Sequence, residues 1–298
     1  MDLLSIDSLS DAEIERILDS GGRWFEQNRS GAQRAETLAR RIIFNVFYES
    51  STRTAMSFAT AAHRLGASAL ALSVEHSSVK KGESLEDTAR TLNAMRPDAL
   101  VVRHRQNGAP GIVAEIVEAP VINGGDGTNE HPTQALLDAA AIRHRLGRIE
   151  GLRIAICGDI THSRVARSNA KLLPRLGAEV RLAGPPELMP PDLPQLSVDD
   201  AIDGADVVMM LRIQRERLDK ELGDAPGEFL SRYGLTAERL ARAAPDAVVM
   251  HPGPMNRGVE IDSAIADDPG RSLITLQVEM GVAVRMACLE MLIGASEA

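Results

Sequence analysis

Eight short apolar runs punctuate the chain, at 42–47, 67–72, 99–104, 121–123, 153–157, 179–183, 205–211 and 247–251. Continuous apolar runs of this length fit strands buried on both faces, and most of the intervening stretches carry apolar residues at helical spacing. Buried strands alternating with helices predict an α/β protein of parallel sheets with helices on both faces. The runs divide four and four. The divide falls at 132–148, where Ala135, Leu136, Ala139, Ile142 and Leu146 keep a helical period, Pro132 suits a first turn and Gly147 an exit. This segment is read as a helix bridging two doubly wound domains, each on a mainly parallel sheet of four to five strands. A last segment, 276–293, is apolar on nearly every side through Val278, Val282, Val284, Met286, Leu289 and Leu292, which predicts a buried helix returning to the first domain. Glu279, Arg285 and Glu290 within it argue against a membrane span. The expected domains are 1–132 plus 277–298, and 133–276.

Polar residues cluster where the strands end. The first run is followed by Glu49-Ser50-Ser51-Thr52-Arg53-Thr54, then by Ala55, Phe58, Ala59, Ala62 and Leu65 on one helical face, with Gly66 as a stop. A helix that opens on hydroxyls and an arginine presents unpaired N–H groups, positive partial charge and a planar fork of donors, which together suit an anion. Arg103 ends the third run; His131 and Gln134 flank the start of the bridging helix. Arg164 follows Gly158-Asp159-Ile160, Arg212 and Gln214 follow the seventh run, and His251-Pro252-Gly253-Pro254 closes the eighth. Singly, these are what capped helices and solvated strand ends also look like. Jointly, they sit at the carboxyl edge where open α/β sheets bind ligands. The polar stretch 77–84, with Lys80, Lys81 and Gly82, reads either as a solvated loop or as a lid delivering Lys81 to an anion.

Composition sharpens this picture. A net charge of −9 argues against general nucleic-acid or anionic-membrane binding, so an anionic ligand requires arginines that reverse the field locally. No segment reads as a signal peptide, and the two cysteines, Cys157 and Cys288, fall in apolar runs as buried reduced thiols; a cytoplasmic protein is expected. Seven scattered histidines lack metal-ligand spacing, so neither metal nor cofactor is expected.

With these residues assembled, the chain resembles the catalytic chains of the aspartate carbamoyltransferase family over essentially its whole length. The resemblance rests on Phe47-Tyr48-Glu49-Ser50-Ser51-Thr52-Arg53-Thr54, Lys80-Lys81-Gly82-Glu83, His131-Pro132-Thr133-Gln134, Gly158-Asp159-Ile160 through Arg164, Arg212-Ile213-Gln214 and His251-Pro252-Gly253-Pro254. It implies transfer of a carbamoyl group from carbamoyl phosphate to L-aspartate in pyrimidine biosynthesis, by a homotrimer with active sites shared between chains. It further implies that Ser51, Thr52, Arg53 and Thr54 hold the phosphate, assisted by Arg103 and by Ser77 and Lys81 of a neighbouring chain. Thr52, Arg103 and His131 would polarise the carbonyl, His131 as neutral imidazole at a helix start. Gln134, Pro252, Gly253 and Pro254 would orient the carbamoyl end; Arg164, Arg212, Gln214 and Lys81 would bind aspartate. Catalysis would then rest on Thr52, Arg53, Arg103, His131 and Lys81. Glu49 would pair with Arg164 and Arg217, and Glu216 would steady Arg212. Ala55 and Gly253 depart from what many relatives carry, without bearing on the chemistry.

Ornithine carbamoyltransferase is the nearest rival, but it binds a cationic side chain, which Arg212 would repel. A nicotinamide-dependent enzyme would need G-x-G-x-x-G, and Asp159-Ile160-Thr161-His162 follows Gly158 instead. A non-catalytic scaffold or regulatory relative should have lost anion ligands, yet Arg53, Thr54, Lys81, Arg103, His131 and Arg212 are all present. Docking of a regulatory chain or of dihydroorotase on the trimer is left open by the sequence.

Overall fold

The structure is a computed structural model that describes residues 1–31, 35–73, 82–213 and 227–294. Ser77, Lys80, Lys81, Gln214, Glu216 and Arg217 lie outside the described residues. The chain forms two compact units, Met1–Ala140 with Val278–Ala298, and Ala141–Gln277.

In the first unit the order is α1 (Asp11–Arg29), β1 (Ile42–Phe47), α2 (Thr52–Arg64), β2 (Ser68–Ser73), α3 (Leu85–Ala94), β3 (Ala99–His104), α4 (Ala109–Ala114) and β4 (Val121–Asp126). The sheet runs β2-β1-β3-β4 and is parallel throughout, with Phe47 beside Arg103 in register. Phe44, Val46, Leu100, Val102 and Val121 pack with Ala89, Leu92 and Val113 in one buried cluster. Each of the larger side chains taken from water contributes roughly 1.5–3 kcal/mol. Helix α5 (Pro132–Leu146) begins in this unit and ends in the second, while α11 (Ile274–Gly294) begins in the second and returns to the first.

The second unit carries β5 (Arg153–Cys157), α6 (Arg164–Arg175), β6 (Glu179–Ala183), α7 (Val198–Ile202), β7 (Val207–Met210), α8 (Glu228–Tyr233), α9 (Ala237–Leu240), β8 (Val248–Met250) and α10 (Ser263–Ala266). Its sheet runs β6-β5-β7-β8, again parallel. Its core joins Ala155, Cys157, Val208, Met210 and Val249 to Ile202, Leu235, Leu240 and Ile261. Cys157 and Cys288 are both buried and unbridged, and burial pushes each thiol up to about 12.

The eight expected strands all form, β1, β3, β5 and β6 with the expected bounds and the other four with shifted ends. The run at 121–123 continues to Asp126, because Gly124, Gly125 and Asp126 are buried without being apolar. Strands β7 and β8 are shorter than their runs. Helix α2 buries Phe58, Ala62 and Leu65 of the expected face, but that face is rotated: Thr54, Ser57 and Ala61 are buried with them, while Ala55 and Ala59 are half-buried. Two small polar residues therefore occupy the seam that alanines were expected to fill.

One backbone approach fixes where β5 and β6 end. Gly158 donates its N–H to Ala183 at 2.9 Å, and a Cβ on Gly184 would lie 2.1 Å from the Gly158 carbonyl oxygen. A backbone oxygen cannot swing aside as a side chain can. Gly184→Ala should lower stability by about 1–3 kcal/mol in a denaturant titration. Gly22→Ala in α1, where nothing lies within 4 Å, should be neutral or stabilising.

Candidate active site

Helix α2 opens at the carboxyl end of β1. Ser51 caps it by accepting the Thr54 N–H at 3.4 Å, which leaves the other first-turn donors facing outward. Helices α1 and α3 place acidic residues in their first turns, Asp11 and Glu13 in one, Glu86 and Asp87 in the other. Helix α2 has none, and carries Thr52 and Arg53 there, both exposed. The positive end of this helix is thus not neutralised by its own side chains and is open to an external anion. Thr54 turns inward, its Oγ1 3.4 Å from His131 Nε2.

Arg103 stands on β3, one strand across, and only 8 % of it is exposed. Its Nη1 donates to the Gly124 carbonyl at 3.2 Å and its Nη2 to Glu49 Oε1 at 2.7 Å. The sequence does not reveal this ion pair, which gives Glu49 a partner within the first unit. A guanidinium this buried needs such partners to offset the cost of its desolvation.

His131 is fixed by the loop between β4 and α5. Asp126, 1 % exposed, accepts four hydrogen bonds: from Gly108 N (2.6 Å), Asn123 Nδ2 (2.8 Å), Asn129 Nδ2 (3.0 Å) and Glu130 N (3.1 Å). The Glu130 carboxylate accepts the Ile6 N–H at 2.9 Å. His131 follows directly and is 4 % exposed. One turn into α5, Gln134 Nε2 donates to the buried Asp138 Oδ1 at 2.9 Å. The first unit therefore brings together Thr54 and His131, with Ser51, Thr52 and Arg53 on the same turn as Thr54, and Arg103 beside β1. Asp126, Glu130 and Asp138 were not foreseen; the available signal was acidic residues immediately bordering buried runs.

The second unit has its own cluster at the carboxyl edge of β5, β7 and β8. Asp159, fully buried, accepts His162 N at 3.1 Å and contacts His162 Nδ1 at 2.9 Å. That turn leads to Ser163, which caps α6 by accepting Ala166 N at 3.1 Å, and to half-buried Arg164 in its first turn. No acidic residue shares that turn. Arg212 lies two residues past β7, also half-buried. Past β8, the Gly253 N–H donates to His251 Nδ1 at 2.9 Å, so the ring proton is on Nε2, 3.3 Å from Glu260 Oε1. This arrangement holds Pro252, Gly253 and Pro254 in a turn whose Gly253–Pro254 peptide is cis. Among the described residues, no group of three histidine, cysteine or acidic side chains could hold a metal.

Residues 1–144 match the family described as aspartate/ornithine carbamoyltransferase, carbamoyl-P binding domain, and residues 150–292 match its Asp/Orn binding domain. The chain belongs to the aspartate/ornithine carbamoyltransferase family. Two relatives in the family, the aspartate carbamoyltransferase catalytic subunits of Rhizorhabdus wittichii and Granulibacter bethesdensis, are each 57 % identical over 296 residues, covering 97 % of this chain and 94 % of theirs. The aspartate transcarbamoylase of Trypanosoma cruzi bound to N-(phosphonacetyl)-L-aspartic acid superposes with a TM-score of 0.87 at 31 % identity, covering 97 % of this chain and 94 % of that one. Its complex with carbamoyl phosphate gives 0.86 at 32 % with the same coverage.

The Asp126 hub gives a direct test of how carbamoyltransferase residue His131 is held. Asp126→Asn turns an amide toward backbone donors, so stability should fall by about 2–3 kcal/mol in denaturant unfolding and kcat should fall with it. Unchanged values for both would show that the hub does not hold His131.

Proposed function

We propose that the chain transfers the carbamoyl group of carbamoyl phosphate to the amine of L-aspartate, giving N-carbamoyl-L-aspartate and phosphate, a step of pyrimidine biosynthesis. The observation that carries this choice of acceptor is the placing of Arg164 and Arg212 at the carboxyl edge of the second unit, beside a helix start without acidic residues. Two carboxylates need such partners, and a cationic ornithine side chain would be repelled by them. The named relatives agree in being aspartate carbamoyltransferase catalytic subunits.

In this reading the first unit binds carbamoyl phosphate, with 1–132 plus 277–298 as the functional domain, and 133–276 binds L-aspartate. Ser51, Thr52, Arg53 and Thr54 take the phosphate at the α2 N-terminus. Thr52, Arg103 and His131 point donors at the carbonyl oxygen, which gains charge as the amine attacks. Gln134 and the backbone carbonyls of Pro252 and Gly253, with Pro254 holding the turn, orient the carbamoyl amino group. The aspartate nitrogen bonds to the carbonyl carbon, the carbon–oxygen bond to phosphate breaks, and the departing phosphate takes the amine proton. No protein nucleophile and no cofactor is needed; positioning and charge stabilisation supply the rate. Glu49 holds Arg103 until an anion competes for it.

The working form in this proposal is a homotrimer in which Ser77 and Lys81 serve a neighbour's site and Gln214 completes the aspartate ligands. Strand β2 supports it, being an edge of its sheet with Leu70 53 % exposed, as does Met56 of α2, 61 % exposed. Among the described residues no helix is long and apolar enough to cross a membrane. The two buried free cysteines suit the cytoplasm.

The purified protein should carbamoylate L-aspartate and leave L-ornithine essentially untouched; a preference for ornithine overturns the proposal. Arg53→Ala and Arg103→Ala should each lower kcat on the order of 10²–10³-fold with an unchanged circular dichroism spectrum. Mixing inactive Arg53→Ala and Lys81→Gln chains under subunit exchange should recover part of the activity, because one interface then pairs two intact contributions. No recovery after verified mixing would remove the shared site.

A further inference from the structure

Arg285 is the one charged residue of α11 that is buried. It is 3 % exposed, on a helix whose neighbours Met280, Ala283, Val284, Met286, Ala287, Cys288, Leu289 and Leu292 are all buried. An isolated charge there is strongly unfavourable. Its Nη1 donates to Ser57 Oγ at 2.7 Å, and its guanidinium lies over the Phe58 ring, 5.1 Å from the centroid. Ser57 and Phe58 belong to α2, one turn beyond Thr54. Burial lowers the guanidinium to about 10, with Arg103 also lowering it and Cys288 and Asp138 acting the other way. On α5, the buried Asp138 is the carboxylate that accepts from Gln134. Space for the head group is provided by Gly281, where a Cβ would lie 2.9 Å from Arg285 Nη1 and 3.2 Å from Leu137.

We propose that Arg285 is a positioning residue for the carbamoyl-phosphate ligands, clamping α2 through Ser57 and Phe58 on the turn of α11 where Gly281 lies against Leu137 of α5. It touches no substrate. Its work is to keep the first turns of α2 and α5 in fixed register, so that Thr54, His131 and Gln134 meet the same ligand. The inference rests on the carbamoyl-phosphate reading above, and deepens it by naming what holds that ligand set from behind.

A structural role and a positioning role separate in Arg285→Met. Buried charges replaced by apolar side chains of similar size often leave stability unchanged or raised. If Arg285 serves only the fold, the variant keeps its kinetics. If it positions the ligands, the folded variant should show a KM for carbamoyl phosphate raised about tenfold or more and a reduced kcat, with KM for aspartate within about twofold of wild type. The dissociation constant for N-(phosphonacetyl)-L-aspartic acid should rise in parallel, and Arg285→Lys should recover part of the loss. Ser57→Ala and Gly281→Ala keep the question answerable if Arg285→Met does not fold. The first removes the acceptor and the second crowds the guanidinium, and each should raise the carbamoyl phosphate KM by about threefold or more. Wild-type kinetics in a folded Arg285→Met, or in both other variants, overturn the inference. Failure of wild-type protein itself to bind the phosphonate would instead overturn the reaction assigned to the site.

Discussion

Charge inside the first unit has to be answered by charge or by dipoles, and its functional residues are arranged around that requirement. Arg103 is almost fully out of water and is met by Glu49 and the Gly124 carbonyl. Asp126 is deeper still and is met by four donors that fix the loop carrying His131. Desolvation of either ion without those partners would cost several kcal/mol, a large share of the stability of an ordinary domain. Hence the loops between strands and helices are not loose connections here. They are cross-linked by the groups that keep the ions dry, and the ligating side chains inherit that rigidity.

A protein of net charge −9 must still receive anions. The resolution is local. Most of the capped helices spend their own N-terminal field on acidic side chains in the first turn, as α1 and α3 do. Helices α2 and α6 leave that field unspent and add an arginine to it. Two small regions of positive potential thus persist on an acidic body, one in each unit, and they coincide with the residues assigned to phosphate and to carboxylate.

The fold was legible because it is built on continuous apolar strands, and hydrophobicity marks these directly. The carboxyl half of β4 was not, because Gly124, Gly125 and Asp126 are buried by hydrogen bonding and not by apolar character. The inward face of α2 is rotated from the apolar one for a related reason: Thr54 and Ser57 go inside beside Phe58 and Ala62 since His131 and Arg285 are there to meet them. The motif residues Ser51 to Thr54, Arg103, His131 and Arg164 stand at strand ends as their spacing suggested. Their supports, Asp126, Glu130, Asp138 and Glu260, lie within ten residues of His131, Gln134 or His251, but no spacing rule marks them, and only the folded chain shows what each one touches. Arg285 illustrates the limit best, since in the sequence it argued only against a membrane span.

The first unit is assembled from two stretches separated by the whole of the second. Trp24 donates to Glu290 at 3.2 Å, Arg29 pairs with Glu279 at 2.8 Å, and Gly21 has no room for a Cβ beside Val284. Helix α1 therefore lacks this packing partner until residues 278–294 have been made. The later-made second unit can close on itself earlier than the first, which keeps an apolar face of the first unit uncovered during synthesis.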